Sequence, residues 1–488
     1  MPTFDSLNPV TGEVLATYEV QSQESVEAAV ERARSATLAW TGLGFQGRRK
    51  VLLAWSKLLI KNLDEVTKMV SDETGKPMSD AKLEASLAVG HLGWAARHAH
   101  EVMRTSRRSP GALMANMSAT VERSPVGVVG VIGPWNYPIF TPMGSISYAL
   151  AAGNTVVFKP SDYTPGVGQM LADTFLKASG LSDVFICVTG LGDTGRHLCE
   201  SGVDKLAFTG STRTAKLVAA TCAARMTPVV LECGGKDPVI VAADADIKRA
   251  ADSAIWSSMS NAGQTCIGAE RVYVHESIAD KFIEEALAVA RRIKPGAPGI
   301  GNYGPATMPS QLKVIQGHID DAIAQGAKVI YGGSDSVKPP FVEPVILADV
   351  PESSTAMLEE TFGPTIAINR VKSMDEAITL SNASRYGLGA SVWSKRSGKK
   401  IAAQLHCGMV AINSTISFAA IASVPFGGVK DSGYGRIHGP EGILEFTYPR
   451  TVIRPYFQLP ISFTSFKRTP GHDTLIVTLT RLLNGRLG

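Results

Sequence analysis

The sequence predicts an α/β fold with two doubly wound parallel sheets. The chain has 488 residues, of which 44% are hydrophobic, so it is long enough to bury the cores of two or three domains. Helix and strand patterns alternate along most of its length, which is typical of α/β proteins. Several short apolar runs contain no polar residue, as in parallel strands that are buried on both faces.

The first half of the chain begins with helices and continues as a βαβ succession. Residues 22–107 repeat apolar positions at intervals of three and four, which predicts mostly helix. Apolar runs then predict buried strands at 126–133, 154–161, 182–190 and 204–211. Because helical patterns separate these runs, the strands are expected to lie parallel in one doubly wound sheet.

A second α/β series predicts a second domain of similar architecture from about 235 to 445. Its predicted strands are PVVLEC, DPVIVA, RVYVHE, AKVIYGG, FVEPVILADV and TIAINRV. The tail differs, because residues 449–466 are extended, aromatic and broken by prolines. Residues 474–483 then form a predicted amphipathic helix. Its apolar face consists of Leu475, Ile476, Leu479, Leu482 and Leu483.

Composition and charge argue against several classes of function. Lys and Arg total 48 against 44 Asp and Glu, with no long basic block, so nucleic-acid binding is not expected. Neither a signal peptide nor an apolar run long enough for a transmembrane helix is predicted. The six cysteines show no paired spacing, which predicts reduced thiols and a cytoplasmic location. No metal site is predicted, since HExxH and Cys/His clusters do not occur.

The strip SNAGQTCIG at residues 260–268 surrounds Cys266 with small and polar residues. A nucleophilic thiol must ionise and must be reachable, and a turn at Ala262 and Gly263 leaves room for a reactant. The alternative is a buried structural cysteine, and this strip alone favours that alternative.

Two further polar side chains follow predicted strands. Glu232 ends an apolar strand in LECGGKDP, where a carboxylate that faces a cavity could act as a general base. Taken alone, an ordinary salt-bridged glutamate is the simpler interpretation. Asn136 in GPWNYP follows the first buried strand, at an end where parallel sheets bind ligands. Its amide could donate to a developing oxyanion, or it could simply form a turn.

These stretches occur with further motifs in a set order that resembles the aldehyde dehydrogenase superfamily. The motifs span residues 134–435 and are PWNYP, FKPSD, FTGS, LECGGK, NAGQTC, EETFGP and PFGGVKDSGYG. The resemblance implies an aldehyde dehydrogenase-like fold with a cofactor domain, a catalytic domain and a small oligomerisation element. The implied bounds are 1–116 and 126–233 for the NAD-binding domain, 234–446 for the catalytic domain, and 117–125 with 447–488 for the oligomerisation element and its C-terminal extension.

The resemblance assigns three catalytic roles. Cys266 is the nucleophile, which adds to the aldehyde carbonyl to form a thiohemiacetal and then, after hydride passes to the nicotinamide, a thioester. The Asn136 amide and the backbone N–H of Cys266 hold the oxyanion. Glu232 is the base that activates the hydrolytic water. The implied reaction is the NAD(P)-dependent oxidation of an aldehyde to a carboxylic acid.

The resemblance also implies a site for NAD, with NADP as the alternative. Lys159 corresponds to the family lysine near the adenosine ribose, and Asp162 stands where many members have a ribose-binding glutamate. NAD is favoured because a carboxylate at that position repels a 2′-phosphate. Ser211 corresponds to the residue that contacts the pyrophosphate at a helix start. The other residues implied in the cofactor site are Trp135, Ser161, Gly210, Glu232, Gly234, Glu360 and Phe362.

A glycine motif, GLGDTG at residues 190–195, could also be taken for a pyrophosphate loop. In the family the corresponding loop lies nearer the adenine, so this motif is expected to have a peripheral role. Isolated patterns of this kind are usually tight turns.

The predicted substrate is an apolar aldehyde, aromatic or with a medium to long aliphatic chain. No Arg or Lys is placed near the nucleophile to bind a substrate carboxylate, and RIHGPEGILEFTYPRTV resembles the branch for fatty and aromatic aldehydes. The expected lining residues are Tyr137, Thr265, Ile267 and Phe426, with Trp135, Phe140 and Phe418 nearby. The alternatives are a semialdehyde or broad-range enzyme with esterase side activity, a cysteine hydrolase without hydride transfer, and a non-catalytic relative. The presence of all three catalytic side chains argues against the last.

The segments 118–125 and 449–466 resemble the oligomerisation element of the family, so a homodimer or homotetramer is expected. The helix at 474–483 is expected to dock on a subunit. Peripheral membrane contact is the alternative, although the helix carries little of the charge that membrane binding normally needs.

Overall fold

A computed structural model describes residues 2–458 and 465–485. Within these residues the chain forms two α/β units, each with its own central sheet, and a separate three-stranded antiparallel sheet. The predicted α/β class, with two doubly wound sheets and a small β element, is therefore confirmed.

The chain begins with a β-hairpin and a layer of long helices, followed by two strands of the small sheet. These elements are β1 (Thr3–Leu7), β2 (Val14–Glu19), α1 (Gln23–Gly42), α2 (Gly44–Lys61), α3 (Leu63–Thr74), α4 (Met78–Val102), β3 (Ser106–Arg108) and β4 (Met117–Pro125). Ser22 caps α1, since its side chain accepts from the N–H of Ser25. Trp40 and Trp55 are fully buried beneath this layer. The prediction of mostly helix for residues 22–107 is confirmed.

Strands and helices then alternate to build the first sheet. They are β5 (Val128–Ile132), α5 (Phe140–Ala152), β6 (Thr155–Lys159), α6 (Pro165–Ser179), β7 (Phe185–Cys187), α7 (Gly192–Glu200), β8 (Lys205–Gly210), α8 (Thr212–Ala223) and β9 (Val229–Cys233). The order across the parallel sheet is β9-β8-β5-β6-β7, so the winding reverses between β5 and β8. The loops after β5 and β8 diverge at this point, which is where doubly wound sheets bind ligands.

The second series builds a seven-stranded sheet and its helices. They are β10 (Asp237–Val241), α9 (Ile247–Met259), β11 (Ala269–His275), α10 (Glu276–Ala290), α11 (Gln311–Ala324), β12 (Lys328–Tyr331), β13 (Val337–Lys338), β14 (Phe341–Val342), β15 (Val345–Ala348), α12 (Thr355–Leu358), β16 (Thr365–Val371), α13 (Met374–Asn382), β17 (Gly389–Trp393), α14 (Gly398–Ala402), β18 (Met409–Ile412), β19 (Gly433–Tyr434) and α15 (Gly439–Glu445). The strand order is β12-β15-β16-β11-β10-β17-β18, with β12 antiparallel to β15. Within the part of the chain that the structure describes, strands β13 and β14 pair only with each other.

One predicted strand lies in a different sheet from the one expected. The run PVVLEC is predicted to belong to the second series, but it forms β9, which pairs with β8 in the first sheet. An apolar run that is buried on both faces has the same pattern in either sheet, so only strand pairing distinguishes them. The chain changes sheets between Cys233 and Asp237, and β19 later returns to pair antiparallel with β9. The domain bounds stay a prediction.

The small sheet pairs β3, β4 and β20 (Thr447–Pro455) in the order β20-β4-β3. Strand β20 lies at its edge, and most of its side chains are exposed. The predicted C-terminal helix is α16 (Pro470–Asn484), in which no residue is buried. Residues 459–464 of the predicted extended segment and 486–488 of the predicted tail lie outside the described residues.

Within the described ranges, no helix combines the length and the apolar character that crossing a bilayer requires. The same residues contain no group of three or more His, Cys, Asp or Glu arranged to hold a metal ion. The cytoplasmic location stays a prediction.

Candidate active site

Cys266 follows a tight turn that the preceding residues are suited to form. Asn261, Ala262 and Gly263 have left-handed backbone conformations, with φ of 52°, 56° and 72°. A Cβ on Gly263 would lie 2.0 Å from the carbonyl oxygen of Gly363, so only glycine fits there. The turn leaves the Cys266 side chain half-buried rather than enclosed in the core.

Two cavities meet at Cys266. The first, the apolar cavity, has a volume of about 820 Å³ and lies between Tyr137, Phe140, Ile416 and Phe426. The second, the crevice cavity, has a volume of about 880 Å³ and lies between Trp135, Ser211, Gly234 and Glu360. Thr141, Glu232 and Cys266 line both. Two different molecules can therefore approach Cys266, one from each cavity.

Glu232 lies one residue before the end of β9, at the junction of the cavities. Its side chain is 3% exposed, and neither carboxylate oxygen has a hydrogen-bond partner among the described residues. Burial raises the pKa of Glu232 to about 7, although Cys266 and Thr209 lie close enough to offset part of the rise. A carboxylate with a pKa near neutrality is well suited to act as a general base.

The Cys266 thiol is protonated at rest. Burial raises the pKa of the thiol well above its usual value, and the charge of Glu232 raises it further. Because the thiolate is the nucleophile, attack by Cys266 requires a proton acceptor. The neighbouring Glu232 carboxylate can fill that role.

Asn136 lies in the loop after β5 and contacts the Cys266 turn. Its side-chain Nδ2 donates to the backbone oxygen of Gln264 at 2.9 Å, and its own backbone oxygen accepts from Asn261 Nδ2 at 3.1 Å. An amide nitrogen carries two hydrogens, so one remains for another acceptor. Since Asn136 and Cys266 both line the crevice cavity, this arrangement suits a donor to an oxyanion.

A buried ion pair that the sequence analysis missed holds the same loop. Lys76 Nζ lies 2.6 Å from Glu84 Oε2 and donates to the backbone oxygen of Asn136 at 2.7 Å. Glu84 Oε1 accepts from the N–H groups of Ile139 and Phe140. Both charged side chains are at most 1% exposed. A lysine and a glutamate eight residues apart are common on exposed helices, so no sequence signal marks this pair.

The loop after β8 starts α8, with Ser211 as the N-cap. The Ser211 hydroxyl accepts from the N–H of Thr214 at 3.3 Å, and Gly210 and Ser211 both line the crevice cavity. The first N–H groups of a helix lack intrahelical partners, which favours an anion such as a pyrophosphate at this point.

Glu360 and Phe362 reach the crevice cavity from the loop before β16. The N–H of Gly235 donates to Glu360 Oε1 at 3.2 Å. A Cβ on Gly234 would lie 2.1 Å from both carboxylate oxygens of Glu360, so glycine is needed for this carboxylate to fit. The Phe362 ring packs edge-on against Trp135, with the ring centroids 5.6 Å apart. A carboxylate and an aromatic face thus border one cavity.

A second buried ion pair, also missed by the sequence analysis, holds the Glu360 loop. Lys236 Nζ contacts Glu270, whose carboxylate accepts from the N–H groups of Thr361 and Phe362. Glu270 lies in β11 and Lys236 lies just before β10, so only the pairing of these two strands brings them together.

Lys159, Ser161 and Asp162 lie at the carboxyl end of β6. The Ser161 hydroxyl donates to Asp162 Oδ1 at 3.2 Å, and Lys159 is buried. Asp162 and Tyr163 border a third cavity of about 1310 Å³ beside the N-terminal hairpin, rather than the crevice cavity. The rings of Tyr163 and Trp135 lie 6.4 Å apart, so the two cavities are neighbours.

The GLGDTG motif forms the turn into α7. Gly190 has φ of 149°, and Leu191 borders the same cavity as Asp162. The helix start that borders the crevice cavity is instead that of α8, at Ser211.

The predicted lining residues Tyr137, Thr265, Ile267 and Phe426 all border the apolar cavity. The hydroxyls of Tyr137 and Thr265 lie 2.9 Å apart. The sequence analysis missed further lining residues from α4, α9 and the loop after β18. These are Leu83, Leu87, Trp256 and Ile416.

The charged residues that line the apolar cavity, among those described, are all acidic. None is Lys or Arg, whereas Asp80, Glu84 and Glu232 border it. Two aromatic residues that were expected nearby lie elsewhere: Trp135 lines the crevice cavity, and Phe418 packs behind Phe426, with ring centroids 6.4 Å apart.

The chain is similar over most of its length to proteins named as aldehyde oxidases and aldehyde dehydrogenases. The chain is 37% identical over 465 residues to a 4,4′-diapolycopene aldehyde oxidase from Methylomonas sp, which covers 94% of this chain and 87% of that protein. It is also 37% identical over 450 residues to a Mycolicibacterium smegmatis protein named as a succinate-semialdehyde dehydrogenase for NADP(+), covering 91% and 87% of the two chains.

A solved structure shares the fold. The NAD-dependent aldehyde dehydrogenase from Sinorhizobium meliloti matches with a TM-score of 0.90 at 31% identity, over 95% of this chain and 93% of that chain. The model of the aldehyde dehydrogenase family matches residues 2–452. The chain therefore belongs to the aldehyde dehydrogenase family and is an oxidoreductase that acts on aldehydes with NAD or NADP.

Proposed function

We propose that this enzyme oxidises apolar aldehydes to carboxylic acids through a covalent adduct on Cys266, with NAD as the preferred cofactor and NADP as the alternative. The position of Cys266 at the junction of the two cavities carries the proposal. One sulfur can then receive an aldehyde from the apolar cavity while it faces a nicotinamide in the crevice cavity.

The first half-reaction forms and oxidises the adduct. The Cys266 sulfur bonds to the carbonyl carbon while its proton passes to Glu232, whose pKa of about 7 leaves much of it ionised near neutrality. The carbonyl oxygen takes the electron pair of the C=O π bond, and Asn136 Nδ2 and the N–H of Cys266 donate to it. Loss of hydride from this thiohemiacetal leaves a thioester.

The second half-reaction hydrolyses the thioester. Glu232 first releases to solvent the proton that it took from Cys266. It then accepts a proton from water while the water oxygen bonds to the thioester carbon. As the C–S bond breaks, that proton passes to the sulfur and restores the thiol. The Glu232 oxygens have no hydrogen-bond partner among the described residues, so they are available to orient that water. The product leaves as a carboxylic acid.

The residues around the crevice cavity fit a dinucleotide. The start of α8 at Gly210 and Ser211 suits a pyrophosphate, and the Glu360 carboxylate, for which Gly234 leaves room, suits ribose hydroxyls. The ring of Phe362, packed on Trp135, suits a flat heterocycle. When bound, NAD or NADP supplies the hydride acceptor.

The adenosine end of the dinucleotide would reach the carboxyl end of β6. Lys159, Ser161 and Asp162 lie there, next to the crevice cavity through the contact between Tyr163 and Trp135. The Asp162 carboxylate would accept from ribose hydroxyls and repel a 2′-phosphate, so we favour NAD.

The lining of the apolar cavity supports an apolar aldehyde, aromatic or aliphatic. Its aromatic residues include Tyr137, Phe140 and Phe426. Since no Lys or Arg lines it among the described residues, it offers no cation to pair with a substrate carboxylate. One relative is named for a diapolycopene aldehyde, which agrees with this choice. Another is named for succinate semialdehyde, which is the alternative substrate class.

A panel of aldehydes tested with NAD and with NADP, and followed by nicotinamide absorbance, tests the proposal. Hexanal and benzaldehyde should be oxidised with a higher kcat/KM than succinate semialdehyde. Cys266→Ala should abolish turnover, and activity that survives this change would contradict the mechanism. Hydrolysis of an activated ester without cofactor, combined with no turnover of any aldehyde, would favour the cysteine hydrolase instead.

We further propose a homodimer or homotetramer. Strand β20 lies at the edge of the small sheet with exposed side chains, and exposed edge strands readily pair with another chain. Helix α16 exposes Leu475, Leu482 and Leu483, so we propose that it docks on a subunit, with a membrane surface as the alternative.

A further inference from the structure

The geometry points to His91 and Tyr148 as positioning residues that hold one wall of the apolar cavity and thereby set which aldehydes bind. This inference rests on the proposed function, because it concerns the aldehyde side of the same site. The wall in question is formed by residues 413–424, hereafter the wall loop, which follow β18.

The wall loop borders the apolar cavity but has little regular structure of its own. Ile416 and Ala419 line the cavity, and the only helical turn that the loop contains among its described residues is Ser417–Ala420. Ile416 has φ of 59°, a left-handed conformation that β-branched residues rarely adopt. A loop that includes such a residue needs contacts from outside to keep a single shape.

Two buried side chains, one from α4 and one from α5, supply those contacts. His91, in α4, has its Nε2 3.0 Å from the backbone oxygen of Ala419. Tyr148, in α5, has its hydroxyl oxygen 3.0 Å from the backbone oxygen of Ala422. His91 Nδ1 lies 3.1 Å from the Tyr148 hydroxyl oxygen. His91 is 1% exposed and Tyr148 is 0% exposed, so both contacts are shielded from water.

The available hydrogens indicate which contact holds the cavity wall. Burial lowers the pKa of His91 to about 4, so near neutral pH the ring carries one N–H hydrogen. The backbone oxygen of Ala422 also accepts from the N–H of Gly439 at 3.1 Å, whereas Ala419 depends on His91. Placing the ring hydrogen on Nε2 satisfies Ala419 and leaves Nδ1 as an acceptor. The single hydroxyl hydrogen of Tyr148 then goes to Nδ1, because Ala422 already accepts from the N–H of Gly439. His91 is then the direct anchor, and Tyr148 fixes its tautomer.

Aromatic packing orients the anchor and connects it to the cavity. The rings of His91 and His438 have centroids 4.0 Å apart, and Phe140 packs edge-on against His91 at 5.3 Å. His438 and Phe140 both border the apolar cavity. Burial also lowers the pKa of His438 well below its usual value, so an uncharged ring supports His91. The orientation of the His91 ring is therefore set by the same residues that shape the cavity.

Kinetics of three variants test this inference. His91→Leu removes the anchor, Tyr148→Phe removes one oxygen, and His91→Gln keeps an N–H near the position of Nε2. For His91→Leu we expect the KM for benzaldehyde to rise about fivefold to tenfold, the loss expected for one buried hydrogen bond. The kcat and the KM for NAD should stay within about twofold, since neither the catalytic side chains nor the crevice cavity is changed. His91→Gln should restore most of the loss.

Substrate size and a matched control separate positioning from general damage. A wall adds binding energy only to an aldehyde large enough to touch it, so the KM for acetaldehyde should change less than the KM for benzaldehyde. Trp94→Phe alters the same helix and a ring 5.8 Å from that of Tyr148, without a hydrogen bond to the wall loop, and should change neither KM. If His91→Leu folds and its benzaldehyde-to-acetaldehyde KM ratio equals that of the wild type, the inference is wrong.

A physical measurement covers the cases in which kinetics gives no result. Amide hydrogen exchange of residues 413–424 should be faster in Tyr148→Phe than in the wild type, even if His91→Leu does not fold. Unchanged exchange would overturn the inference. If the wild type oxidises no aldehyde, the proposed function fails, whereas the exchange measurement still decides whether His91 and Tyr148 anchor the loop.

Discussion

The Glu232 carboxylate and the Cys266 thiol share the junction of the two cavities, and each influences the ionisation of the other. The charge of Glu232 raises the pKa of the thiol, and the thiol partly offsets the burial that raises the pKa of Glu232 to about 7. The nucleophile therefore rests as a thiol beside a base that is half ionised near neutrality. Activity should follow the ionisation of that base.

We predict that kcat/KM for an aldehyde falls as the pH drops below about 7, because protonated Glu232 cannot accept the thiol proton. Glu232→Gln should lower kcat by about 10²–10⁴-fold and remove this acidic limb. A pH–rate profile of both proteins measures the effect. An acidic limb that persists unchanged in Glu232→Gln would assign it to another group.

The same carboxylate should make the protein less stable at high pH. The pKa of Glu232 in the folded state lies above its ordinary value of 4.5, so the folded state binds the proton more tightly than the unfolded state does. The contribution of this proton to the free energy of unfolding is fully present below about pH 4.5 and is lost as the pH rises through about 7. Glu232→Gln should therefore be more stable than the wild type by about 3 kcal/mol at pH 8 and equally stable near pH 4.5. Urea unfolding at both pH values measures this, with Glu284→Gln, a change at an exposed residue of α10, as the control.

Gly234→Ala should impair cofactor binding. A Cβ at this position would lie 2.1 Å from the Glu360 oxygens, so the carboxylate must move away from the crevice cavity. We expect the KM for NAD to rise about tenfold, since a displaced ribose contact costs about 1.4 kcal/mol.

Gly192→Ala is the matched control, because a Cβ at the start of α7 would meet no atom within 4 Å. It should leave the KM for NAD unchanged, which also tests the peripheral role of the GLGDTG motif. An equal rise in KM for both variants would mean that the motif binds the cofactor.

The Lys76–Glu84 pair should matter for catalysis as well as for stability. Lys76→Met alone leaves the Glu84 charge buried without its partner, which typically costs about 3–5 kcal/mol. Lys76→Met/Glu84→Gln removes both charges and should recover much of that stability. The backbone oxygen of Asn136 would still lack the hydrogen bond from Lys76, so the Asn136 loop would be held less well. We therefore expect kcat to stay reduced by about tenfold.

Thermal melting and kcat, measured on both variants, separate the two effects. If kcat recovers together with stability in the double variant, the pair has only a structural role.

Deleting residues 470–488 should weaken the oligomer, because it removes the exposed apolar face of α16. Light scattering over a range of protein concentrations measures the change, and sedimentation with anionic vesicles tests the membrane alternative. If neither measurement differs from the wild type, the proposed role of this helix is wrong.

Several features of the fold could be predicted because they depend on neighbours along the chain. Uninterrupted apolar runs predicted β5, β6 and β8, and the helical repeat predicted the N-terminal layer. Cys266 stood out for its small and polar neighbours, Glu232 for the two glycines that follow its strand, and Asn136 for its place just after a buried strand. The structure brings Cys266 and Glu232 to one junction and Asn136 to the adjoining cavity, while their chemical roles stay proposals.

The sequence alone determined the family, the nucleophile candidate and its motif partners, since these features are local patterns in a set order along this chain. The tertiary structure decided which sheet PVVLEC joins, how Lys76 and Lys236 find their buried partners, and which residues wall the apolar cavity. It also decided that Glu232 has a pKa near neutrality. The reason is physical: burial, ion pairing and cavity shape arise from contacts between residues far apart in sequence, and packing alone brings those residues together.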